Sequence, residues 1–337
     1  MKAAEYKKPF DIEIVERDDP PRGKAAVVRV IATGICGGDL HFYDGTFSYA
    51  SYPRIGGHEI VGEVEYAPDN KSGISRGDIV VVDPMEHCGK CVPCRHGKTN
   101  CCTSIHVLGV QVDGGFCERI AVPPERLYKT GSEMSVERAV LCEPYTIAYH
   151  ATERAGIEKD DEVLVAGAGT IGLAVADLAT ASGAKVTIVD RFSQKLNVAK
   201  QLGVFETVDT STVGLSDFVR ERTGGEGFYK VFEATGNPNV IASCIDSVCP
   251  GGTITVIGLL AGSVTINGLD LTRKEMTILG SRNSISAFSP VIGLFKGRSL
   301  HPELLLTHRY PFVDIKKAFE YTFKNPKDVI KAAVFFQ

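Results

Sequence analysis

The alternation of hydrophobic and polar positions changes character near residue 146. Before that point, β-rich runs such as AAVVRVIATGI, EIVGEVEYA and GDIVVVDP are separated by turns rich in glycine and proline, and helical periodicity is scarce. This part of the chain predicts a β-rich, barrel-like domain.

Beyond residue 146, short apolar runs alternate with amphipathic stretches. DEVLVAGAG, AKVTIVD and YKVFEATG have the pattern of buried strands, whereas TIGLAVADLATASG, SQKLNVAKQLG and NVIASCIDSV predict helices. Such alternation is typical of an α/β fold with a doubly wound parallel sheet. SAFSPVIGLFKG predicts a further helix outside that series, and the chain then ends in KAAVFFQ. We expect a discontinuous catalytic domain, residues 1–146 and 282–337, around a second domain, residues 147–281.

The glycines of VLVAGAGTIG stand where a dinucleotide fold needs them. Gly167, Gly169 and Gly172 follow an apolar strand and open a helix, in which Thr170 and Ile171 form the first turn. A pyrophosphate can approach such a turn and face the helix N-terminus. The alternative is that the glycines only permit a tight turn.

An acidic residue at the end of the next strand is the second requirement of a dinucleotide site. Asp190 in VTIVDR lies 18 positions beyond Gly172. A carboxylate there accepts hydrogen bonds from the adenosine ribose and repels a 2′-phosphate. The sequence therefore favours NAD over NADP, although Arg191 beside the carboxylate weakens that preference.

A dense group of cysteines in HCGKCVPCRHGKTNCC indicates a closed zinc site. The cysteines with suitable spacing are Cys88, Cys91, Cys94 and Cys102. Four thiolates form a tetrahedral structural site that leaves no position open for chemistry. Cys101 is a rival fourth ligand, a cluster without metal is the other alternative, and we expect His87 and His96 to be solvated loop residues.

A second group of residues suits a catalytic zinc, which needs fewer protein ligands and one open position. The candidates are Cys36 in GICGGDLH and His58 in RIGGHEIVGEV, joined by Glu59 or by Glu143 in LCEPYTIAYHA. Taken singly, the cysteine or the histidine would more often be a buried core residue.

The composition indicates which kinds of partner the protein binds and in which cellular compartment it works. The chain has 337 residues, with 37 basic against 41 acidic side chains, a formal net charge of −4 and no basic run, which argues against nucleic acid as a partner. No apolar stretch reaches the roughly 20 residues that cross a bilayer, and the first residues are charged where a signal peptide would be apolar. We expect a small-molecule substrate, no membrane partner and a cytoplasmic protein, in which ten cysteines favour metal over disulfides.

These motifs, in this order, resemble the zinc-containing medium-chain dehydrogenase/reductase superfamily along essentially the whole chain. The matching stretches are GICGGDLH, GHE, the cysteine-rich stretch, DGGFCERIAVP, EP, GAGTIG and THRYPF. GHE together with EP resembles the polyol branch rather than the ethanol branch, which has a cysteine as its third ligand. GKTNCC, VLGVQVDGGF, GSRN and LLLTHRYPF look like bacterial dehydrogenases that oxidise C5 of L-galactonate or L-gulonate.

The resemblance implies a GroES-like catalytic domain, a Rossmann domain, two zinc ions per subunit, NAD, and a homodimer or homotetramer. It implies that Cys36, His58 and either Glu59 or Glu143 hold the catalytic zinc, with the two glutamates exchanging. The implied reaction is oxidation of a secondary alcohol of a sugar acid or polyol. The alternatives are a sorbitol, xylitol or threonine dehydrogenase and, from another class, a zinc- and NAD-binding sensor without turnover.

One position departs from the family pattern for proton release. A Ser or Thr two residues after the zinc cysteine usually passes a proton, through the ribose, to a histidine five residues after that cysteine. His41 has the place of the histidine, but Gly38 has the place of the hydroxyl. Three explanations of Gly38 are open. A water, a substrate hydroxyl or Glu143 carries the proton instead of the missing hydroxyl. Alternatively, the glycine makes room for a bulkier substrate, or the protein has lost turnover.

The residues that bind substrate are the least constrained. Arg282 and Asn283 in GSRN follow the last strand of the second domain, and an arginine there suits a substrate carboxylate. A salt bridge at the domain junction is the alternative. Tyr43 and Tyr145 are expected to line the pocket, with aromatic core packing as the alternative.

Overall fold

The chain is described by a computed structural model that covers residues 1–47, 50–259, 262–297 and 299–337. It divides into two compact units. The first comprises Met1–Glu143, Phe288–Lys296 and Leu306–Gln337, and the second comprises Pro144–Ala287 and Gly297–Leu305. In the part of the chain so covered, no helix is both long and apolar enough to cross a membrane.

The elements have the following bounds. The strands are β1 (Lys2–Lys8), β2 (Asp11–Glu16), β3 (Ala26–Ile35), β4 (Arg54–Ile55), β5 (Glu59–Tyr66), β6 (Ile79–Val82), β7 (Met85–Glu86), β8 (His106–Val107), β9 (Arg119–Val122), β10 (Leu127–Lys129), β11 (Glu162–Ala166), β12 (Lys185–Asp190), β13 (Glu206–Asp209), β14 (Phe228–Glu233), β15 (Val248–Val256), β16 (Thr277–Gly280), β17 (Leu306–Pro311) and β18 (Lys331–Phe335). The α-helices are α1 (Gly37–Asp44), α2 (Val92–Arg95), α3 (Val136–Ala139), α4 (Cys142–Ala155), α5 (Thr170–Ala181), α6 (Ser193–Gln201), α7 (Leu215–Arg222), α8 (Pro238–Asp246), α9 (Gly268–Arg273), α10 (Phe288–Lys296) and α11 (Ile315–Lys324). Short 3-10 helices cover Thr99–Cys101, Pro124–Arg126, Pro302–Leu305 and Phe312–Asp314.

The main sheet of the first unit confirms the predicted β-rich domain. Its strand order is β10-β6-β5-β3-β18-β17, with β9 also paired to β3, while β2, β1 and β4 form a second sheet. Strands β5 and β18 both run antiparallel to β3, so that Gly34 lies opposite Glu59 and Ile35 lies opposite Ala332. Three segments that are far apart in sequence therefore meet at the end of β3.

Helix α11 packs on the core of the first unit and was missed by the sequence analysis. Its buried residues are Ile315, Ala318, Phe319 and Thr322. This i, i+3, i+4, i+7 spacing is the apolar stripe of an amphipathic helix, and it would have predicted the element.

The second unit confirms the predicted doubly wound fold. Its sheet has the order β13-β12-β11-β14-β15-β16, and all neighbouring strands are parallel. The order reverses between β11 and β14, where dinucleotides bind at the carboxyl ends of such sheets. The apolar runs that predicted strands form its core, as shown by Leu164, Val231 and Ile254, each at most 1% exposed.

The limits of the second unit differ from the predicted range at both ends. Residues 144–146, 282–287 and 297–305 cluster with it. Buried polar contacts explain this placement, because the backbone N–H of His301 donates to the Asp177 carboxylate at 2.9 Å and the Ser284 hydroxyl bonds that of Thr146 at 3.0 Å. Such contacts between segments distant in sequence leave no local pattern.

Candidate functional site

Cys36, His58 and Glu59 form a compact cluster in the first unit. Cys36 follows β3 and caps α1, whereas His58 directly precedes β5 and Glu59 begins it. Because β3 pairs with β5, one sulfur, one imidazole nitrogen and one carboxylate oxygen lie within 4.8 Å of one another. The Glu59 side chain is 1% exposed and that of His58 is 12% exposed.

Lys331 completes this cluster and was missed by the sequence analysis. It begins β18, and its Nζ donates to Glu59 Oε1 at 2.5 Å and to the Ile35 carbonyl at 3.1 Å. Among the described residues, Glu59 Oε2 is buried without a hydrogen-bond partner. Lys331 therefore neutralises the carboxylate and leaves its second oxygen available to a cation.

The first glycine of GICGGDLH makes room for this carboxylate. A Cβ at Gly34 would lie 1.8 Å from Glu59 Oε2, whereas a Cβ at Gly38 would meet nothing within 4 Å. Gly34 is thus required by the position of Glu59. Gly38 borders open space.

Asp39 joins the two segments that carry the cluster. Its Oδ2 accepts the backbone N–H of Cys36 at 2.8 Å. Its Oδ1 accepts the backbone N–H of Gly57 at 3.3 Å and the side-chain O–H of Tyr6 at 3.4 Å. The same Oδ1 lies 4.0 Å from His58 Nδ1. Asp39 was not predicted as a site residue from the sequence, where the available signal was an acid three positions after the candidate ligand Cys36.

Acidic groups outnumber cationic ones in the cluster. Burial by itself lowers the pKa of His58, but the charges of Asp39 and Cys36 outweigh it and raise that pKa well above its usual value. Burial raises the pKa of Glu143 to about 7, with His58 opposing and Glu59 adding to the shift. A divalent cation would balance this excess of negative charge. Sulfur, nitrogen and oxygen donors at these separations fit zinc.

The structure brings together the predicted structural zinc ligands. The group consists of Cys88, Cys91, Cys94 and Cys102, with ligand atoms within 4.8 Å of one another. The sulfurs of Cys91 and Cys102 are 3.8 Å apart, which equals the edge of a tetrahedron with zinc–sulfur bonds of about 2.3 Å, about 3.8 Å. Cys101 is exposed, and so are His87 and His96.

Backbone N–H groups surround these thiols and favour their ionisation. Those of Thr103 and Cys94 lower the pKa of Cys91 to about 5, whereas desolvation raises the pKa of Cys94 to about 12. The thiols therefore do not all ionise in the absence of a cation. Zinc binds thiolates and would supply the missing positive charge.

The glycine turn of the second unit has the geometry of a pyrophosphate-binding loop. Gly167 has a φ of 104°, and a Cβ at Gly172 would lie 1.8 Å from the Gly167 carbonyl oxygen. A Cβ at Gly169 would meet nothing within 4 Å. The turn thus packs closely against α5 on one side and is open at Gly169. Thr170 and Ile171 begin α5, as predicted.

Asp190 is fixed beside this turn at the end of β12. Its Oδ2 accepts the N–H of Ala168 at 2.7 Å, and its Oδ1 accepts that of Phe192 at 2.9 Å. Arg191 stacks on the Phe192 ring, and Lys195 lies over the same ring and is attracted by Asp190, although burial lowers the pKa of Lys195. Lys195, the third residue of α6, was not singled out from the sequence.

His41 lies in the last turn of α1 with its imidazole exposed. Its Nδ1 is 2.9 Å from the Thr46 hydroxyl oxygen, which is 2.6 Å from Asp44 Oδ1. The contact leaves Nε2 as the nitrogen available to a proton relay.

The four predicted substrate residues have different surroundings. Tyr43 is 4% exposed and packs its ring against Phe319 and Phe323. Tyr145 is fully buried, and its hydroxyl donates to Asp177 at 2.7 Å. Both tyrosines thus have core-like packing, and a substrate role for either stays a prediction. Arg282 is exposed after β16, and Asn283 is half-buried with a φ of 47°.

Two family models and several known proteins match this chain. The family described as "Alcohol dehydrogenase GroES-like domain" matches residues 22–132, and the one described as "Zinc-binding dehydrogenase" matches residues 170–296. An L-galactonate-5-dehydrogenase of Escherichia coli is 34% identical over 97% of both chains, and the starvation-sensing protein RspB of Escherichia coli is 32% identical over 100% of this chain and 99% of that one. A crystal structure described as a short chain alcohol dehydrogenase (rspB) from Escherichia coli CFT073, complexed with NADH, superposes with a TM-score of 0.93 at 31% identity and covers 100% and 99% of the two chains.

Proposed function

Because this chain belongs to the zinc-dependent alcohol and polyol dehydrogenases, a family of oxidoreductases, we propose that it oxidises a secondary alcohol of a sugar acid or polyol with NAD. The observation that carries the proposal is the cluster of Cys36, His58 and the buried Glu59, whose donor atoms lie within 4.8 Å of one another. C5 of L-galactonate or L-gulonate is the finer assignment, supported by 34% identity to the L-galactonate-5-dehydrogenase.

Each bound group has its own set of residues. Cys36, His58 and Glu59 would hold the catalytic zinc, with Glu143 exchanging for Glu59, and the four-cysteine group would hold the structural zinc. The glycine turn would take the pyrophosphate, and Asp190 the ribose. When bound, zinc supplies Lewis acidity towards the alcohol oxygen, and NAD supplies the hydride acceptor.

The side chains around the cluster orient the ligands and move the proton. Asp39 holds the segment that carries His58 against the start of α1, and Lys331 restrains Glu59. His41 accepts at Nε2 the proton that the alcohol gives up. Since Gly38 has no hydroxyl and borders open space, a water or a substrate hydroxyl carries the proton across this gap.

The test is NADH formation by zinc-loaded protein with NAD and NADP in parallel. The substrates are L-galactonate, L-gulonate, D-gluconate, sorbitol, xylitol and L-threonine. We expect turnover of the hexonates with NAD, because Asp190 disfavours a 2′-phosphate. Cys36→Ala and His58→Ala should abolish it, while Cys101→Ala, which removes an exposed thiol outside both clusters, should not.

Two other results would redirect the proposal. Turnover of sorbitol, xylitol or threonine alone would keep the enzyme class and replace the substrate class. Silence with every substrate, with zinc and NADH still bound, would favour a sensor without turnover. A homodimer or homotetramer in the cytoplasm stays a prediction, and light scattering of the zinc-loaded protein measures its mass.

A further inference from the structure

A chain of three polar side chains ends at His41. The Thr46 hydroxyl oxygen lies 2.9 Å from His41 Nδ1 and 2.6 Å from Asp44 Oδ1. The same carboxylate oxygen also accepts the backbone N–H of Thr46 at 2.8 Å. Neither Asp44 nor Thr46 is a member of the two candidate zinc clusters, and neither was predicted as a site residue from the sequence.

The hydrogen-bonding capacity of Asp44, Thr46 and His41 fixes the positions of the hydrogens shared among them. An ionised carboxylate only accepts hydrogen bonds, and a hydroxyl has a single hydrogen to donate. The Thr46 hydrogen therefore points to Asp44, so the Thr46 oxygen must accept a hydrogen from His41. We infer that Asp44 and Thr46 are positioning residues that place the proton of neutral His41 on Nδ1 and leave Nε2 as its basic nitrogen.

The backbone holds the three side chains in place. Gly45 has a φ of 80° and ends α1, and the N–H of Phe47 donates to the carbonyl of His41 at 3.0 Å. This short loop returns Thr46 to the histidine that precedes it by five residues. A histidine side chain in water prefers its proton on Nε2, so the inferred tautomer is the reverse of the default.

The tautomer matters for the reaction, and this step rests on the proposed function. With Nδ1 occupied by Thr46, Nε2 is the nitrogen that can take up a proton. A proton already on Nε2 would present a donor at the atom that must accept. In serine proteases, an analogous loss of the orienting carboxylate leaves the geometry intact but gives the wrong tautomer and slows the reaction.

The first test measures the tautomer directly and requires no turnover. Long-range ¹H–¹⁵N spectra of ¹⁵N-histidine-labelled protein distinguish the two nitrogens above pH 8, about where an ordinary histidine is neutral, and His41→Gln assigns the signal. We expect the Nδ1–H form in the native protein. Asp44→Asn should convert it to Nε2–H, because the amide can donate to Thr46 and turn the Thr46 hydrogen towards His41. An Nε2–H form in the native protein, or no change in the variant, would overturn the inference.

The second test measures alcohol oxidation. We expect Asp44→Asn to lower kcat about tenfold or more, with KM unchanged within about twofold, since positioned proton transfer contributes about 10²–10⁴-fold. Asp78→Asn is the matched control, because its carboxylate likewise accepts a backbone N–H, that of Ser75.

Two substitutions of Thr46 distinguish a role in orienting the His41 imidazole from a role in packing. Thr46→Ser keeps the hydroxyl and should retain kcat, whereas Thr46→Val keeps the shape and should behave like Asp44→Asn. Equal losses in both would indicate packing and overturn the inference. An inverted tautomer in Asp44→Asn with unchanged kcat would support the positioning and overturn the role of His41 in the proposed function, so the two failures are distinguishable.

Discussion

The two cysteine-containing clusters can each hold a divalent cation, but they are built in opposite ways. The four-cysteine cluster takes all its ligands from residues 88–102 and surrounds its sulfurs with local backbone N–H groups. The mixed cluster takes Cys36, His58 and Glu59 from the ends of two paired strands and depends on Lys331 from a third. One cluster is local and closed, and the other is assembled over long range and contains mixed donors.

Because the two clusters are built differently, mutations in them are expected to have different consequences. The geometry of a cluster built from one stretch of sequence depends on the turns of that stretch. Metal binding there is coupled to the folding of that stretch. A cluster built across β3, β5 and β18 depends on strand register, since a shift of one residue moves every side chain to the opposite face. Loss of a ligand from the first should therefore mainly lower stability, and loss of a ligand from the second should mainly alter metal affinity or turnover.

The largest effect is expected where the local cluster loses a ligand. Cys91→Ser should remove the structural zinc and lower the thermal unfolding midpoint on the order of 5–10 °C, because metal binding here is coupled to folding. Calorimetry and zinc analysis of the purified protein measure both quantities. Cys101→Ser, one position from Cys102 but exposed, is the control. An unchanged midpoint with the zinc gone would show that this cluster does not stabilise the fold.

The next largest effect is expected when the mixed cluster loses the positive charge of Lys331, which comes from a strand distant in sequence. Lys331→Met leaves the Glu59 carboxylate buried and unpaired, which typically costs about 3 kcal/mol of unfolding free energy. Added zinc should reduce that loss, because the cation replaces the ammonium. Denaturant unfolding with and without zinc measures the difference.

Lys7→Met is the control for this charge. Lys7 pairs with the buried Glu5, but Glu5 keeps Arg17 as a second partner. We expect a smaller loss of unfolding free energy in this variant, without dependence on zinc. Equal losses in the two variants would contradict a special role for Lys331.

A smaller effect is expected from Gly34 and Gly38, two of the three glycines of GICGGDLH, which form a matched pair. In Gly34→Ala the new Cβ would lie 1.8 Å from Glu59 Oε2, so the carboxylate must move, whereas Gly38→Ala enters open space. We expect the first variant to weaken zinc at the mixed cluster about 10- to 100-fold, as loss of ligand orientation does, and the second to change it less than about twofold. Competition with a zinc chelator measures both affinities, and similar values would contradict the assigned role of Gly34.

The same contrast explains what could be predicted from sequence. The four cysteines, the glycine turn and the alternating strands each produce a pattern within a few residues, and the structure contains all of them. Lys331 lies 272 positions from Glu59, and only the pairing of β18 with β3 shows that its charge belongs to the cluster. No local pattern contains that information.

Two further residues show where sequence patterns were insufficient. Tyr43 and Tyr145 suited either a pocket or a core, because an aromatic side chain has the same identity in both. In the structure Tyr43 is 4% exposed and Tyr145 is fully buried, and a substrate role for either stays a prediction. Asp39 differs, because its role depends on which backbone N–H groups the fold brings to it.

The smallest effect is expected when the hydroxyl that is missing at Gly38 is restored. Gly38→Ser has room for its side chain and would replace a mobile water by a fixed hydroxyl. Ordering a water costs about 0–2 kcal/mol, so we expect kcat for alcohol oxidation to rise about threefold, with KM little changed. Gly38→Ala adds the carbon without the hydroxyl and should leave kcat unchanged. If both variants instead raise KM for the hexonates alike, the glycine serves to admit the substrate, and the proton leaves by a path that needs no group at this position.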